Sequence, residues 1–369
     1  MDFSFTEEQE TVGKVARQLF EHRATPERLT ELESGEVRFD EALWRELASS
    51  DLLGIALPES VGGSGGGFLE LGVLLAEVGW SVAPVPVHAT LMLGADTIAR
   101  HGDSTIQQRY LPKVVDGSAI LTAALAEPGN SDPTMPRTAA RADGDAWILD
   151  GTKELVPAAQ LADAIVVSAL ADDGPGLFIV EAATAGVIVT PATVTNGEPY
   201  ADVELTGAVA HRLNNTPGAD AVGSLYTRAL VGLCAMQVGV AERALQFAAS
   251  YTTEREQFGR PIGSFQAVQQ RLADAFIDVE AIRWTTWHAA WLIDEGRPAS
   301  REAAIAKFWA AEAGARVVAS AQQVHGGMGI DVTYPLHRYF LWAKQIELSL
   351  GSASQQLARL GAAYPEGSK

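Results

Sequence analysis

From about residue 220 onward the chain runs through four long apolar-periodic stretches with few helix breakers, and no other feature constrains its fold as tightly. The first, SLYTRALVGLCAMQVGVAERALQFAASYTTEREQ, has room for one helix of about thirty residues. After a turn at Gly259 to Gly263, FQAVQQRLADAFIDVEAIRWTTWHAAWLIDEG continues in the same way. EAAIAKFWAAEAGARVVASAQQVHG and YFLWAKQIELSLGSASQQLARLGAA complete the content of an up-down four-helix bundle over 216–369.

Upstream the texture differs. Between 119 and 215 short β-branched runs alternate with turn residues: AWILDGTKELV, AIVVSAL, GLFIVEA and GVIVTPATVT. Their period-two character and close spacing predict a small β-sandwich or barrel. Residues 1–118 alternate helical patterns with breakers. Thr6 followed three residues later by Gln9 is a capping-box pattern. Asp40 is placed to cap EALWRELASSDLLG, whose Leu43, Leu47, Leu52 and Leu53 suit one buried face and which Gly54 is expected to end. The glycine-rich turn in LPESVGGSGGGFLELGVLLAEVGW lacks a Walker lysine and follows no clear strand, so it reads as a connector. The fold class is therefore mainly α with a central β domain.

The 369 residues suffice for two or three units with a substantial core. A formal charge of −19 argues against broad binding to nucleic acid or anionic membrane. Cys234 is the only cysteine, so no intrachain disulfide is possible, and its apolar run assigns it to packing. The acidic start lacks the order of a secretion signal, no apolar run of about twenty residues is evident, and a cytoplasmic location is expected. Trp284, Trp287 and Trp291 recur at helical spacing and read as core or interface packing, with a ligand pocket as the alternative. His288 has no second metal-type ligand at useful spacing. Neither a Ser-His-Asp signature nor a Cys/His zinc framework is present.

Chemistry is concentrated in two segments, Arg255 to Gln269 (REQFGRPIGSFQAVQ) and Gln323-Val324-His325-Gly326-Gly327. Arg255 offers a fork of donors suited to a diphosphate, and Gln266 donates and accepts. Gly326 and Gly327 permit a backbone approach to phosphate that a Cβ would prevent. Together the segments resemble the flavin-binding signature of the acyl-CoA dehydrogenase family. The glycine-rich PESVGGSG stretch is similar to an early family motif, and the helix–β–helix order extends the likeness over essentially the whole chain. The resemblance implies an N-terminal helical domain (1–118), a middle β domain (119–215) and a C-terminal bundle carrying FAD and oligomer contacts (216–369). It also implies that Arg255, Phe258, Gln266 and the Gln323–Gly327 turn, with Val324 and His325 in it, serve an FAD shared across a subunit boundary. His325 occupies the motif's variable position and reads as a helix-end histidine, not a catalyst.

Such an enzyme needs a carboxylate base of raised pKa and a flavin ring held against its thioester substrate. The family's usual glutamate position corresponds to Leu350, within Leu348-Ser349-Leu350-Gly351-Ser352, and the minority position falls at about Ala229. Neither residue accepts a proton, and Tyr226 to Val231 contains no carboxylate. The family's Thr-Glu-Pro-Gly-Ala-Gly-Ser-Asp loop is replaced by Ala126-Glu127-Pro128-Gly129-Asn130-Ser131-Asp132, and its Trp-Ile-Thr segment by Leu155-Val156-Pro157. Proline brings neither a backbone donor nor a hydroxyl.

What the chain would need for its own ring is lost, while what it would lend is kept. The resemblance thus narrows to the base-lacking subunit of actinobacterial α2β2 sterol side-chain dehydrogenases, with a homologous catalytic partner that binds most of the acyl-CoA. Two alternatives stay open. Glu347, three residues before Leu350 and expected to share a helical face with it, is a candidate base in a homomeric enzyme, or else an ion-pair partner of Lys344. The chain is otherwise a non-redox assembly or binding protein on the same fold. The acyl group is not readable.

Overall fold

The computed structural model describes residues 4–213 and 216–363. The expected boundary between 215 and 216 therefore adjoins positions outside the described residues. The chain forms two compact units: one gathers residues up to Leu19, Glu27–Leu71 and Pro84–Ala229, the other Phe20–Pro26, Gly72–Ala83 and the residues from Leu230 on.

The first unit takes in most of the helices α1 (Glu7–Arg23), α2 (Pro26–Glu33) and α3 (Glu41–Ser49), the start of α4 (Phe68–Ser81), then α5 (Asp96–His101) and α6 (Ser104–Val115). The capping box at α1 is formed: the Thr6 amide donates to Gln9 Oε1 at 3.0 Å and the Gln9 amide to Thr6 Oγ1 at 3.2 Å. Asp40 caps α3 by accepting from the Leu43 amide. The helix stops at Ser49, earlier than expected from Gly54, because Asp51 takes a positive φ of 57° and turns the chain, although Leu52 and Leu53 are still buried. A π-helical stretch, His88–Ala95, precedes α5 and is buried throughout.

Seven strands follow in the same unit: β1 (Leu121–Ala124), β2 (Ala139–Asp143), β3 (Ala146–Val156), β4 (Ala164–Ala171), β5 (Gly174–Glu181), β6 (Val187–Ala192) and β7 (Tyr200–Arg212). β4 pairs with β2, β2 with β3, β3 with β7, β7 with β5, and β5 with β4 again, so five strands close on themselves. Of the two expected arrangements the barrel is the one adopted. β1 joins β4 in parallel, and β6 joins β7. The interior holds Leu149, Val167, Phe178, Val203 and Leu205 among its buried side chains. Closure gives each of the five barrel strands a neighbour on both sides and leaves the unpaired edges to β1 and β6.

The second unit comprises most of α7 (Gly218–Glu254), a minimal hairpin of β8 (Glu256–Gln257) and β9 (Arg260–Pro261), then α8 (Gln266–Asp294), α9 (Ser300–His325), α10 (Leu336–Leu348) and α11 (Ala353–Ala363). α9 packs against α8, α10 and α11. Glycines let the backbones of α4 and α7 touch: a Cβ on Gly79 would sit 2.0 Å from the Met236 carbonyl oxygen, and one on Gly239 1.9 Å from that of Ala76.

One expectation is corrected. The last helical stretch is two helices, broken at 349–352, because Leu350 and Gly351 take φ values of 53° and 106° that no α-helix accommodates. α7 is, by length and composition, apolar enough to cross a membrane, but most of that stretch is buried within the protein. The tryptophans divide. Trp284 is exposed and donates to Glu280 at 2.9 Å, Trp287 packs against Gly72, and Trp291 is half-buried under the Arg297 guanidinium. His288 is exposed and stacks on Trp291.

Candidate functional site

Three parts of the expected site are built independently. The first is the position of the base. Leu350 lies in the break between α10 and α11, and its carbonyl accepts from Gln356 Nε2 at 3.2 Å. Lys307, fully buried on α9, donates to the carbonyls of Glu347 and Gly351 at 3.1 and 2.9 Å. Burial pushes its ammonium down to about 8. Glu347 does not share a helical face with Leu350, since α10 has ended at Leu348. Its carboxylate is instead ion-paired with Lys344.

Ala229, the minority position, is fully buried on α7, and its carbonyl accepts from His88 Nε2 at 3.2 Å. The carboxylate bound next to it is Asp96, which Arg228 grips with two donors and Arg100 with a third. Burial alone would raise Asp96, but the two guanidiniums outweigh it and hold the group below the usual carboxylate range. A carboxylate so held is a poor base. Sequence reading missed this cluster; the Asp96-x-x-x-Arg100 spacing was visible, but the partner Arg228 is 132 residues away.

The second part is the flavin-ring loop. Glu127 is buried and accepts from Lys153 Nζ at 2.7 Å, from the Thr138 amide and hydroxyl at 2.9 and 2.7 Å, and from the Arg137 amide at 2.7 Å. Burial raises its pKa, Lys153 and Thr138 lower it, and the result is about 2. Lys153, wholly buried on β3 and brought down to about 8 by burial, also reaches Ser168 at 3.0 Å. The loop is thus firmly built, yet the side chains that would face a ring offer nothing to it. Ala126 has no hydroxyl. Pro157 has no N–H, and its carbonyl is occupied by Thr122 Oγ1 at 2.6 Å. Leu155 and Ala158 on either side take φ values of 49° and 54°.

The third part is the cofactor clamp. α7 ends at Glu254, and the Arg255 amide still donates to Tyr251 at 2.8 Å. The β8–β9 hairpin places Phe258 and Gly259 at its tip with φ values of 54° and 76°, the pair of positive angles of a type I′ turn. Such turns favour Asn-Gly, yet here a phenylalanine stands there 93% exposed. Gln266 opens α8, and Gln323 closes α9. Arg255, Gln266 and Gln323 are exposed and make no side-chain hydrogen bond or ion pair among the described residues. Val324 is half-buried. Gly326 has φ 59° and ψ −133°, open only to glycine, and nothing stands within 4 Å of a Cβ built on it or on Gly327. Exposed unengaged donors beside an open glycine pair fit the diphosphate of an FAD. His325 is the exception. Its ring is 3% exposed and turned inward, so a cofactor contact at this position falls to its backbone.

Comparison with known proteins agrees along the whole chain. Family models described as acyl-CoA dehydrogenase N-terminal, middle and C-terminal domains match residues 6–118, 122–207 and 218–364. The acyl-CoA dehydrogenase FadE27 of Mycobacterium tuberculosis is 42% identical, covering 98% of each chain, and FadE28 of the same organism is 31% identical with the same coverage. Among solved structures, the Tcur3481-Tcur3483 steroid ACAD G363A variant matches at 47% identity and TM-score 0.93, over 96% of this chain and 97% of that one. The ChsE4-ChsE5 complex from M. tuberculosis matches at 42% identity and TM-score 0.94, over 99% and 100%.

Proposed function

The chain belongs to the acyl-CoA dehydrogenase family, and we propose that it is the non-catalytic subunit of a heteromeric, FAD-dependent enzyme of this family. It completes the FAD site of a glutamate-bearing homologue and carries no working site of its own. FAD, when bound, supplies the electron sink for α,β-dehydrogenation of an acyl-CoA thioester. The residues of this chain that would hold it are Arg255, Phe258, Gln266, Gln323 and the backbone of the Gln323–Gly327 turn.

One observation carries the reading: Phe258 stands 93% exposed in a left-handed conformation that its side chain disfavours, on the segment between Arg255 and Gln266, whose side chains are exposed and unengaged. A phenylalanine at such a place costs conformational and solvation free energy unless something covers it. A partner subunit with its FAD would cover the ring and remove the solvation cost. Leu350, Ala229, Ala126 and Pro157 support the other half of the reading, since the chain offers no base and no ring donor at those positions. The similar heteromeric structures, one of them described as a steroid enzyme, support a second, homologous subunit, for which we propose an α2β2 arrangement, and a steroid-type acyl group.

The test is co-expression with a glutamate-bearing homologue, followed by flavin counting. Two FAD per four chains are expected, with little on this chain alone. Four FAD per four chains would refute the asymmetric site, and a stoichiometric complex without flavin would favour a non-redox assembly role.

A further inference from the structure

The two halves of the clamp lie on segments about seventy residues apart, and the structure ties them together through one buried side chain. The His325 ring stacks on Tyr251, with centroids 4.3 Å apart and planes at 23°. Tyr251 is the residue whose carbonyl receives the Arg255 amide. His325 Nδ1 lies 2.7 Å from the Ala321 carbonyl, one turn back in α9, and must donate to it. That fixes the tautomer and leaves Nε2 as an acceptor, 3.2 Å from the Tyr334 hydroxyl, which therefore donates. Burial lowers the pKa of His325, which keeps the ring neutral and this pattern intact. Tyr334 is braced in turn by His337 Nδ1, which donates to its carbonyl at 2.7 Å, and by the edge of Phe247.

We propose that His325 is a positioning residue: through Tyr251 and Tyr334 it holds the Arg255 end of α7 against the Gln323–Gly327 turn, so that the two halves of the diphosphate clamp keep a set spacing. This deepens the reading given under Proposed function and rests on it. The ring does not touch the cofactor. It acts through the residues on either side of it, and its hydrogen bonds do as much as its bulk. A buried side chain that braces its neighbours in this way sets the geometry of the groups that do make contact.

The complex with the glutamate-bearing homologue is the material for the test, and FAD release on dilution, followed by flavin fluorescence, is the readout. Tyr334→Phe, which removes only the hydroxyl, is expected to speed release about fivefold, the loss of one hydrogen bond, and His325→Phe, which keeps the stack but loses both hydrogen bonds, is expected to speed it more. The double variant is expected to add little to His325→Phe, since both remove the same bond. His325→Gln, which retains an acceptor near Nε2, is expected to stay close to the unmodified complex. If packing alone mattered, the order would reverse, with Phe retaining FAD better than Gln, and the inference would be overturned. Arg255→Ala separates the two levels of the argument. Should it release FAD while Tyr334→Phe and His325→Phe do not, the clamp stands and the role of His325 falls; should Arg255→Ala leave FAD in place, both fall.

Discussion

Lys307 donates to the carbonyl of Gly351 at 2.9 Å, one residue beyond Leu350, and so fixes the backbone at the position proposed to lack the base. It also holds the Glu347 carbonyl, which α10 leaves unpaired at its end. A fully buried ammonium thus serves as the joint between two helices. Lys307→Met keeps the bulk but leaves both carbonyls without a donor. The expected cost is about 1–3 kcal/mol in denaturant unfolding. An unchanged midpoint would show that the joint holds without the lysine.

Glu127 and Lys153 form a second buried pair, under the altered ring loop. Removing one partner strands the other's charge, so Glu127→Gln or Lys153→Met is expected to cost about 3–5 kcal/mol. The double variant Glu127→Gln/Lys153→Met should cost less than the sum. Because the folded Glu127 carboxyl titrates at about 2, below its ordinary 4.5, its contribution is complete above pH 4.5 and is lost as pH falls through about 2. Additive costs in the denaturation experiment would contradict this coupling.

The hairpin tip offers a trade between stability and function. Phe258→Asn places a residue that tolerates positive φ in a turn that prefers Asn-Gly. The isolated chain should gain about 0.5–1 kcal/mol, measured by thermal unfolding. The assembled complex should hold FAD less tightly, because the aromatic cover is gone. A stabilised variant with full FAD retention would place Phe258 outside the clamp.

His88 gives the first unit an acid limit. Its folded pKa is pushed down to about 4 by burial, against the hydrogen bond to Ala229, which raises it. The folded ring is neutral while an unfolded histidine takes a proton below about pH 6.5, so the unfolded state binds more protons between those values. Stability is therefore expected to fall as pH drops from about 6.5 to about 4, by up to about 3 kcal/mol from this residue. Glu198, raised to about 7 by burial, works in the opposite direction over part of that window. The difference between the unmodified chain and His88→Gln isolates the histidine. Parallel stability curves would remove His88 from the account.

What was legible in the sequence was what is local. The Thr6–Gln9 box and the Asp40 cap depend on residues three apart, and β3 runs over the AWILDGTKELV segment that period-two alternation marks. β7 escaped notice although it pairs with three other strands, because YADVELTGAVAHR interrupts its apolar positions with charges and a glycine. The break after α10 escaped for another reason. Its first turning residue is Leu350, and nothing in a leucine announces a positive φ that Lys307 and Gln356 hold from elsewhere in the chain. Arg228 with Asp96 and Tyr251 with His325 are likewise partnerships across large sequence separations, invisible to any window. The exposed residues proposed for the clamp stand out in the sequence through their motif, and His325 does end α9 as its place in the motif suggests, but its buried contacts with Tyr251 and Tyr334 leave no local trace.

Restoring the missing carboxylate provides the sharpest test of how much has been lost. Leu350→Glu returns a base to its usual family position, in a backbone that Lys307 already holds. A base works only beside a ring that accepts the hydride, and in the proposed site this chain would meet a ring with Ala126 and Pro157, neither of which donates a hydrogen bond from its side chain or, at Pro157, from its backbone. The Leu350→Glu variant, co-expressed with the glutamate-bearing homologue, is therefore expected to keep two FAD per four chains and an unchanged turnover per complex, and to remain inactive alone. A rise to four flavins, or dehydrogenation by the single chain, would mean that the base alone had been missing and that the ring site was intact.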